Sequence, residues 1–231
     1  MHIVAHRGYA ATFPENTRAA FTQAGETADW IELDVRPCQT DELVVFHDER
    51  LDRLTDQTGR VVATPWETLD GVEVLDSGER ILRLEDALAA IPADVGVQIE
   101  LKDLGIAERV TDILSGYDHD ATLISFSPLA LHEVTEIDPS LDTGLVLHPG
   151  LYGDAPGLGI QMAAHLDCHM IHVFYDMGVN TELVSMAHDH GVSVQCGTPE
   201  EGAAETVLQR CRTAGVDFLS VDRPLETAQS G

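Results

Sequence analysis

Trp30-Ile31-Glu32-Leu33-Asp34-Val35 is a short apolar run that carries two acids at a spacing of two. In an extended strand, residues two apart share a face, so Glu32 and Asp34 point one way and Leu33 the other. Comparable runs recur at 2–5, 95–101, 122–126, 143–147, 170–174, 192–195 and 218–221, which with 30–35 makes eight. They are mostly bounded by Gly, Asp or Pro and are continuous rather than alternating in hydrophobicity. Strands buried on both faces of a parallel sheet read this way. Amphipathic helices are predicted between them at 17–28, 84–90, 106–114, 129–136, 158–165, 181–190 and 199–214, with Asn16 as N-cap of the first. Such alternation, without a break in composition, predicts an α/β chain folded as one (β/α)8 TIM barrel over residues 1–231. The stretch 44–83 interrupts the pattern. It offers a short strand at 43–46, a turn near Thr58-Gly59 and a further strand near Val61. It is read as an insertion after strand two, approximately 48–83, covering the mouth of the barrel.

Forty acidic residues against thirteen basic ones leave a formal charge of −27. A surface of that sign repels nucleic acid and anionic lipid, so neither nucleic acid nor stable membrane association is expected. The same charge opposes casual self-association in dilute salt. Excess acid with almost no lysine is the composition expected of a halophilic protein, in whose medium screening suppresses self-repulsion. The four cysteines, Cys38, Cys168, Cys196 and Cys211, form no C-x-x-C pair, and a reduced cytoplasmic chain is expected. With a strand predicted directly after Met1, no signal peptide is expected. No apolar run approaches the roughly 20 residues that span a bilayer.

Polar groups gather at the ends of several predicted strands, where a barrel builds its sites. His6-Arg7-Gly8 follows the first, Glu32 and Asp34 close the second, Phe46-His47-Asp48 ends the short 43–46 strand, and Glu100-Leu101-Lys102 ends the next core strand. Two anionic side chains inside a barrel repel unless a cation lies between them. Glu32, Asp34 and Glu100 at one rim make a hard-oxygen site suited to Mg²⁺ or Ca²⁺; the competing reading is a set of solvated loop acids. His6 and His47 have the chemistry of a general acid and general base, although any one histidine is as readily a packing residue. Arg7 and Lys102, the only lysine in the chain, can clamp a phosphate and stabilise charge on its oxygens. Gly8 would let the backbone pass close to a ligand.

These motifs together resemble the glycerophosphodiester phosphodiesterases, metal-dependent barrel enzymes related to phosphatidylinositol phospholipase C. The resemblance runs through His6-Arg7-Gly8, Glu15-Asn16-Thr17, Glu32-x-Asp34-Val35, Leu43-Val44-Val45-Phe46-His47-Asp48, Leu51-Asp52-Arg53, Thr58-Gly59, Glu100-Leu101-Lys102, Ser125-Phe126, Gly215-Val216-Asp217 and Asp222-Arg223-Pro224. It implies one divalent cation held by Glu32, Asp34 and Glu100, acid–base work by His6 and His47, and phosphate binding by Arg7 and Lys102. The implied substrate is a small glycerophosphodiester, cleaved to glycerol 3-phosphate and an alcohol. A barrel acting on a lysophospholipid or phosphoinositol diester, or a non-catalytic phosphoester binder, are the rival readings. A lipid substrate calls for an apolar rim, and the sequence offers no aromatic cluster to supply one.

The chain departs from the family pattern at three places. Thr40-Asp41 replaces the usual Asp-Gly turn, which Asp tolerates because it accepts a left-handed conformation. Gln195 stands where the family has a tryptophan that helps wall the substrate pocket, so it bears on alcohol specificity. Val221 replaces a threonine before Asp222-Arg223-Pro224. Elsewhere, His165, Asp167, His169 and His172 match no zinc spacing and straddle a helix end and a strand, so their side chains should diverge. His188 and His190 read as caps near a helix C-terminus.

Overall fold

In the computed structural model, which describes residues 1–198 and 205–225, the predicted runs form a closed sheet. The strands are β1 (His2–Ala5), β2 (Trp30–Pro37), β3 (Leu43–Val45), β4 (Leu82–Arg83), β5 (Gly96–Leu101), β6 (Ala121–Ser125), β7 (Asp142–Val146), β8 (Met170–Phe174), β9 (Ser193–Gly197) and β10 (Phe218–Val221). Their order is β1-β10-β9-β8-β7-β6-β5-β2, and β1 pairs with β2 to close the ring. All pairs in that ring are parallel, which makes it a (β/α)8 barrel. The helices are α1 (Arg18–Ala24), α2 (Trp66–Leu69), α3 (Leu84–Leu88), α4 (Ala107–Leu114), α5 (Pro128–Ile137), α6 (Pro149–Tyr152), α7 (Pro156–His165), α8 (Thr181–Asp189) and α9 (Glu205–Ala214). Residues 199–204 of the last predicted helix lie outside the described residues. No helix among those described is long and apolar enough to cross a membrane.

The period-two rule places the site. Ile31, Leu33 and Val35 of β2 and Val97, Ile99 and Leu101 of β5 belong to the main apolar core. The alternate residues of these strands face the other way, in register: Glu32 lies beside Gln98 and Asp34 beside Glu100. Low in the barrel, Trp30 meets Phe218 edge-on at 5.7 Å between ring centroids. Gly96 makes room for that indole, because a Cβ there would lie 2.4 Å from it. The barrel interior therefore runs from an aromatic floor to an acidic rim.

The helices follow the sequence with two corrections. Thr17, not Asn16, caps α1: its side chain accepts from Ala20 N–H. Asn16 sits at φ 59 and turns its amide inward instead. The helix also ends at Ala24, short of the expected residue 28. Asp41 does adopt the left-handed turn, at φ 71.

After β2 the chain leaves the ring. β3 runs antiparallel to β2, and β4 antiparallel to β3. The intervening segment packs a separate apolar cluster that includes Val44, Phe46, Leu51, Leu54, Val61, Leu69 and Val74. Val61 opens a single 3₁₀ turn, Val61–Ala63, rather than a strand. Burial in that cluster, not sheet pairing, accounts for its apolar character. The four cysteines are buried and unpaired.

Candidate active site

Glu32, Asp34 and Glu100 converge as their alternation requires. One carboxylate oxygen from each lies within 4.8 Å of the others, and all three residues are buried. Burying a charged carboxylate costs several kcal/mol unless it is compensated. Asp34 has the fullest compensation: Lys102 Nζ at 2.8 Å, Arg7 Nε at 3.2 Å and Asn16 Nδ2 at 2.8 Å. Burial alone would raise its pKa, but Lys102 and Arg7 outweigh burial and hold Asp34 below the usual carboxylate range. Lys102 Nζ also lies 2.6 Å from Glu100 Oε1. Burial nevertheless pushes Glu100 upward, against the pull of Lys102. Glu32 accepts the Arg7 backbone N–H at 3.0 Å through Oε2, while its Oε1 has no partner. Burial first, and the charge of Asp34 second, push its pKa up to about 8.

Three carboxylates beside two cations cannot all ionise readily in a buried pocket, which is what the raised Glu32 and Glu100 express. An orphaned Glu32 oxygen, in a cluster with Asp34 of its own strand and Glu100 of the neighbouring one, fits a hard divalent cation, for which oxygen donors at one rim are the preferred ligands.

The backbone around His6 is bent to serve this arrangement. Arg7, Gly8 and Tyr9 have φ values of 49, 74 and 68, all in the left-handed region. For the two non-glycine residues that conformation costs roughly 1–2 kcal/mol each, and strain of this kind persists only where surroundings over-determine it. Here the Arg7 N–H is held by Glu32, its carbonyl accepts Asn16 N–H at 3.0 Å, and its guanidinium donates to Glu15 Oε1 at 3.0 Å. Gly8 does not approach the cavity, contrary to expectation. It packs on α1, where a Cβ would lie 2.7 Å from Ala20 Cβ.

His6 and His47 face one cavity of about 480 Å³, lined also by Arg7, Glu32, Glu100 and Lys102. His6 Nδ1 lies 2.6 Å from Asp222 Oδ1, and its Nε2 lies 3.9 Å from Glu32 Oε2. Burial lowers the His6 pKa, but the Asp222 hydrogen bond and the Glu32 charge outweigh burial and leave it raised. His47 Nδ1 lies 2.6 Å from Asp48 Oδ1. Burial, aided by Lys102 and Arg7, lowers the His47 pKa despite Asp34. Asp48 is gripped in turn by Arg53 through Nε at 2.7 Å and Nη2 at 2.9 Å, and Arg53 also donates twice to Glu15. The Arg53 hydrogen bonds draw the Asp48 pKa down to about 2. Arg36 Nε donates to the His47 carbonyl at 2.9 Å and fixes the backbone there.

All seven sequence-selected residues thus meet, Asp34 by holding Lys102 and Arg7 rather than by lining the cavity. The sequence reading missed the partners: Asp48, Asp222, Asn16, Glu15 and Arg53. Each sits inside or beside a motif already singled out, but only the fold shows what it touches. Two further expectations need correction. Gln195 is fully buried and does not wall the cavity; Gly197 and Thr198 do so from the same strand end. The segment 48–83 contributes no lining residue and braces the rim from outside rather than covering it. An aromatic wall does exist: Phe126 stacks on Phe174 at 6.4 Å, and both line the cavity with Tyr175. Phe126 follows β6, whereas Phe174 and Tyr175 adjoin at the end of β8, so no single stretch of sequence announces it. His169 is exposed beside Asp142, while His172 enters the cavity, so the His165–His172 run does diverge.

Residues 6–226 match the sequence profile of the Glycerophosphoryl diester phosphodiesterase family. A glycerophosphodiester phosphodiesterase of Caldanaerobacter subterraneus subsp. tengcongensis is 33% identical over 240 residues, covering 96% of this chain and 94% of that protein. Among solved structures, an Oleispira antarctica phosphodiesterase in complex with the product sn-glycerol-3-phosphate has a TM-score of 0.85 at 26% identity, covering 97% of this chain and 94% of its own. A glycerophosphodiester phosphodiesterase from Agrobacterium tumefaciens str. C58 has a TM-score of 0.82 at 28% identity, covering 97% of each chain.

Proposed function

The chain belongs to the glycerophosphoryl diester phosphodiesterase family, and from that premise we propose that its cavity hydrolyses glycerophosphodiesters to glycerol 3-phosphate and an alcohol. The observation that carries this reading is the pairing of two carboxylate-anchored imidazoles with an acidic triad across one cavity. A divalent cation, Mg²⁺ or Ca²⁺, held by Glu32, Asp34 and Glu100, would supply Lewis-acid polarisation of a phosphate oxygen. Arg7 and Lys102 draw the phosphate to the rim and offset the charge that develops on its oxygens. Asp222 and Asp48 each hold an Nδ1–H, which leaves both Nε2 atoms for the substrate. One imidazole takes the proton from the attacking hydroxyl, and the other gives a proton to the departing alcohol oxygen. A diester without a hydroxyl, such as bis(p-nitrophenyl) phosphate, is attacked by water; in a glycerophosphodiester the attacking group is the 2-hydroxyl of the glycerol. A cyclic phosphate results, which water then opens while the two rings exchange roles. The barrel works as one unit, with 48–83 as its insertion.

The test is release of glycerol 3-phosphate from glycerophosphocholine and glycerophosphoethanolamine, with bis(p-nitrophenyl) phosphate in parallel. It is run after chelation and after Mg²⁺ or Ca²⁺ add-back, at low and high salt. Turnover that chelation abolishes and metal restores is expected. Binding of glycerol 3-phosphate without turnover of any substrate would leave only the phosphoester-binding reading. The wall of Phe126, Phe174 and Tyr175 favours one second reading, a lysophospholipid whose glycerol carries an apolar acyl chain. Lysophosphatidylcholine cleaved faster than glycerophosphocholine would establish it.

A further inference from the structure

The barrel interior holds a line of polar side chains that the proposed chemistry does not use. Gln98 on β5, Gln195 on β9 and His172 on β8 are all buried. Gln98 Nε2 donates to Gln195 Oε1 at 2.6 Å and lies 3.8 Å from Met170 Sδ. A thioether has no proton to give, so it faces the N–H end of the Gln98 amide and fixes which end meets Gln195. Gln195 therefore accepts at its oxygen and donates from its nitrogen, which lies 3.3 Å from His172 Nδ1. With Nδ1 as acceptor, the proton of a neutral imidazole sits on Nε2. Burial, with the charges of His6 and Lys102, lowers the His172 pKa to about 3, so the ring is neutral.

The His172 Nε2 has no protein partner and is buried in the lining of the cavity. A Cβ at residue 197 would come within 2.8 Å of it, so glycine is the residue that fits against this nitrogen without displacing the ring. Phe174 stacks on the imidazole at 5.3 Å and sets its plane. The cavity has two characters. Ile124, Phe126 and Val146 line it with apolar surface, whereas Thr198 and Ser220 add hydroxyls at the β9 and β10 ends. A neutral donor suits a hydroxyl, while Arg7 and Lys102 already serve the anionic phosphate.

We infer that His172 is a substrate-binding residue whose Nε2–H donates to a hydroxyl of the glycerol moiety, with Gln195 and Gln98 as positioning residues that fix its tautomer. The inference rests on the proposed phosphodiesterase reading for its substrate class. Two measurements test it. In ¹⁵N-labelled wild-type protein, the His172 ring is expected to carry its proton on Nε2, and that signal is expected to shift with glycerol 3-phosphate but not with inorganic phosphate. The opposite tautomer, or no selective shift, overturns the inference whatever the activity. In kinetics with divalent cation added, His172→Phe is expected to lose about tenfold in kcat/KM for glycerophosphocholine, chiefly through KM. Its rate on bis(p-nitrophenyl) phosphate, which has no hydroxyl, stays within about twofold of wild type. His172→Gln, which retains an N–H, recovers most of the loss, and Gln195→Leu reproduces part of it. An equal loss on both substrates would mean a merely structural role and sink the inference. A selective NMR shift in a protein that hydrolyses neither substrate would instead count against the proposed function and leave the hydroxyl contact standing.

Discussion

His6 and His47 are each held by a carboxylate at 2.6 Å, but their supports are built in opposite ways. Asp222 lies 216 residues from His6 and reaches it because β1 and β10 are neighbours in the ring. Asp48 is the next residue after His47 and needs no fold to find it. What it needs is Arg53, from the insertion, to hold it and to tie it to Glu15 ahead of α1. The barrel thus supplies one imidazole through its closure, and the insertion supplies the other through a charged clamp. A buried backbone seam and a half-exposed ion network should respond differently to substitution, acid and salt.

The largest expected effects treat the two halves alike. His6→Ala and His47→Ala should each lower kcat by about 10²- to 10⁴-fold with little change in melting temperature, because on the proposed mechanism each removes a proton-transfer group. Near-wild-type turnover by either variant would remove that ring from the mechanism. Next come the supports. Asp222→Asn and Arg53→Met should each cost about tenfold to a hundredfold in kcat through misplacement of a ring. Arg53→Met should also lose the grip on Asp48, and a kcat unchanged by it would reduce the clamp to decoration.

Acid separates the halves further. The Asp48 pKa is drawn down to about 2, below the unfolded value of about 3.9. A depressed carboxylate adds stability above its unfolded pKa and loses it as pH falls through the folded one. Asp48→Asn should therefore be less stable than wild type at pH 7, by below about 1 kcal/mol given its exposure, with the gap closing between pH 4 and pH 2. Denaturant unfolding across that range checks it, and a gap that persists at pH 2 contradicts it. The smallest expected effect is that of salt. Arg53 is 47% exposed at its side chain. Molar KCl should screen the clamp and shrink the kcat cost of Arg53→Met, while leaving that of Asp222→Asn nearly unchanged. With −27 formal charges, the same salt should raise the melting temperature of the whole protein.

The barrel was legible because its signal is local. Runs such as 30–35 and 218–221 are buried on both faces, and a period of two then fixes which side Glu32, Asp34 and Glu100 must take. The interior of the insertion was less legible than its place after β2, because Val61 and Phe46 owe their burial to a cluster assembled from distant turns rather than to any periodicity. Asn16 misled for a related reason. Asn is a good cap in isolation, but a buried Asp34 competes for its amide and wins, leaving Thr17 to cap. Gln195 misled because a residue aligned with a pocket wall need not point into the pocket. Here its amide is spent inside the barrel on Gln98 and His172.

The seam between β1 and β10 has a consequence for how the protein comes into being. During translation β1 emerges before every other barrel strand, and β10 after them all. Until Phe218–Val221 has docked alongside His2–Ala5, the ring stays open and His6 lacks its carboxylate. A ribosome-stalled or clipped chain ending before β10 would carry the acidic triad, both imidazoles and the insertion, but neither a closed ring nor the carboxylate that holds His6.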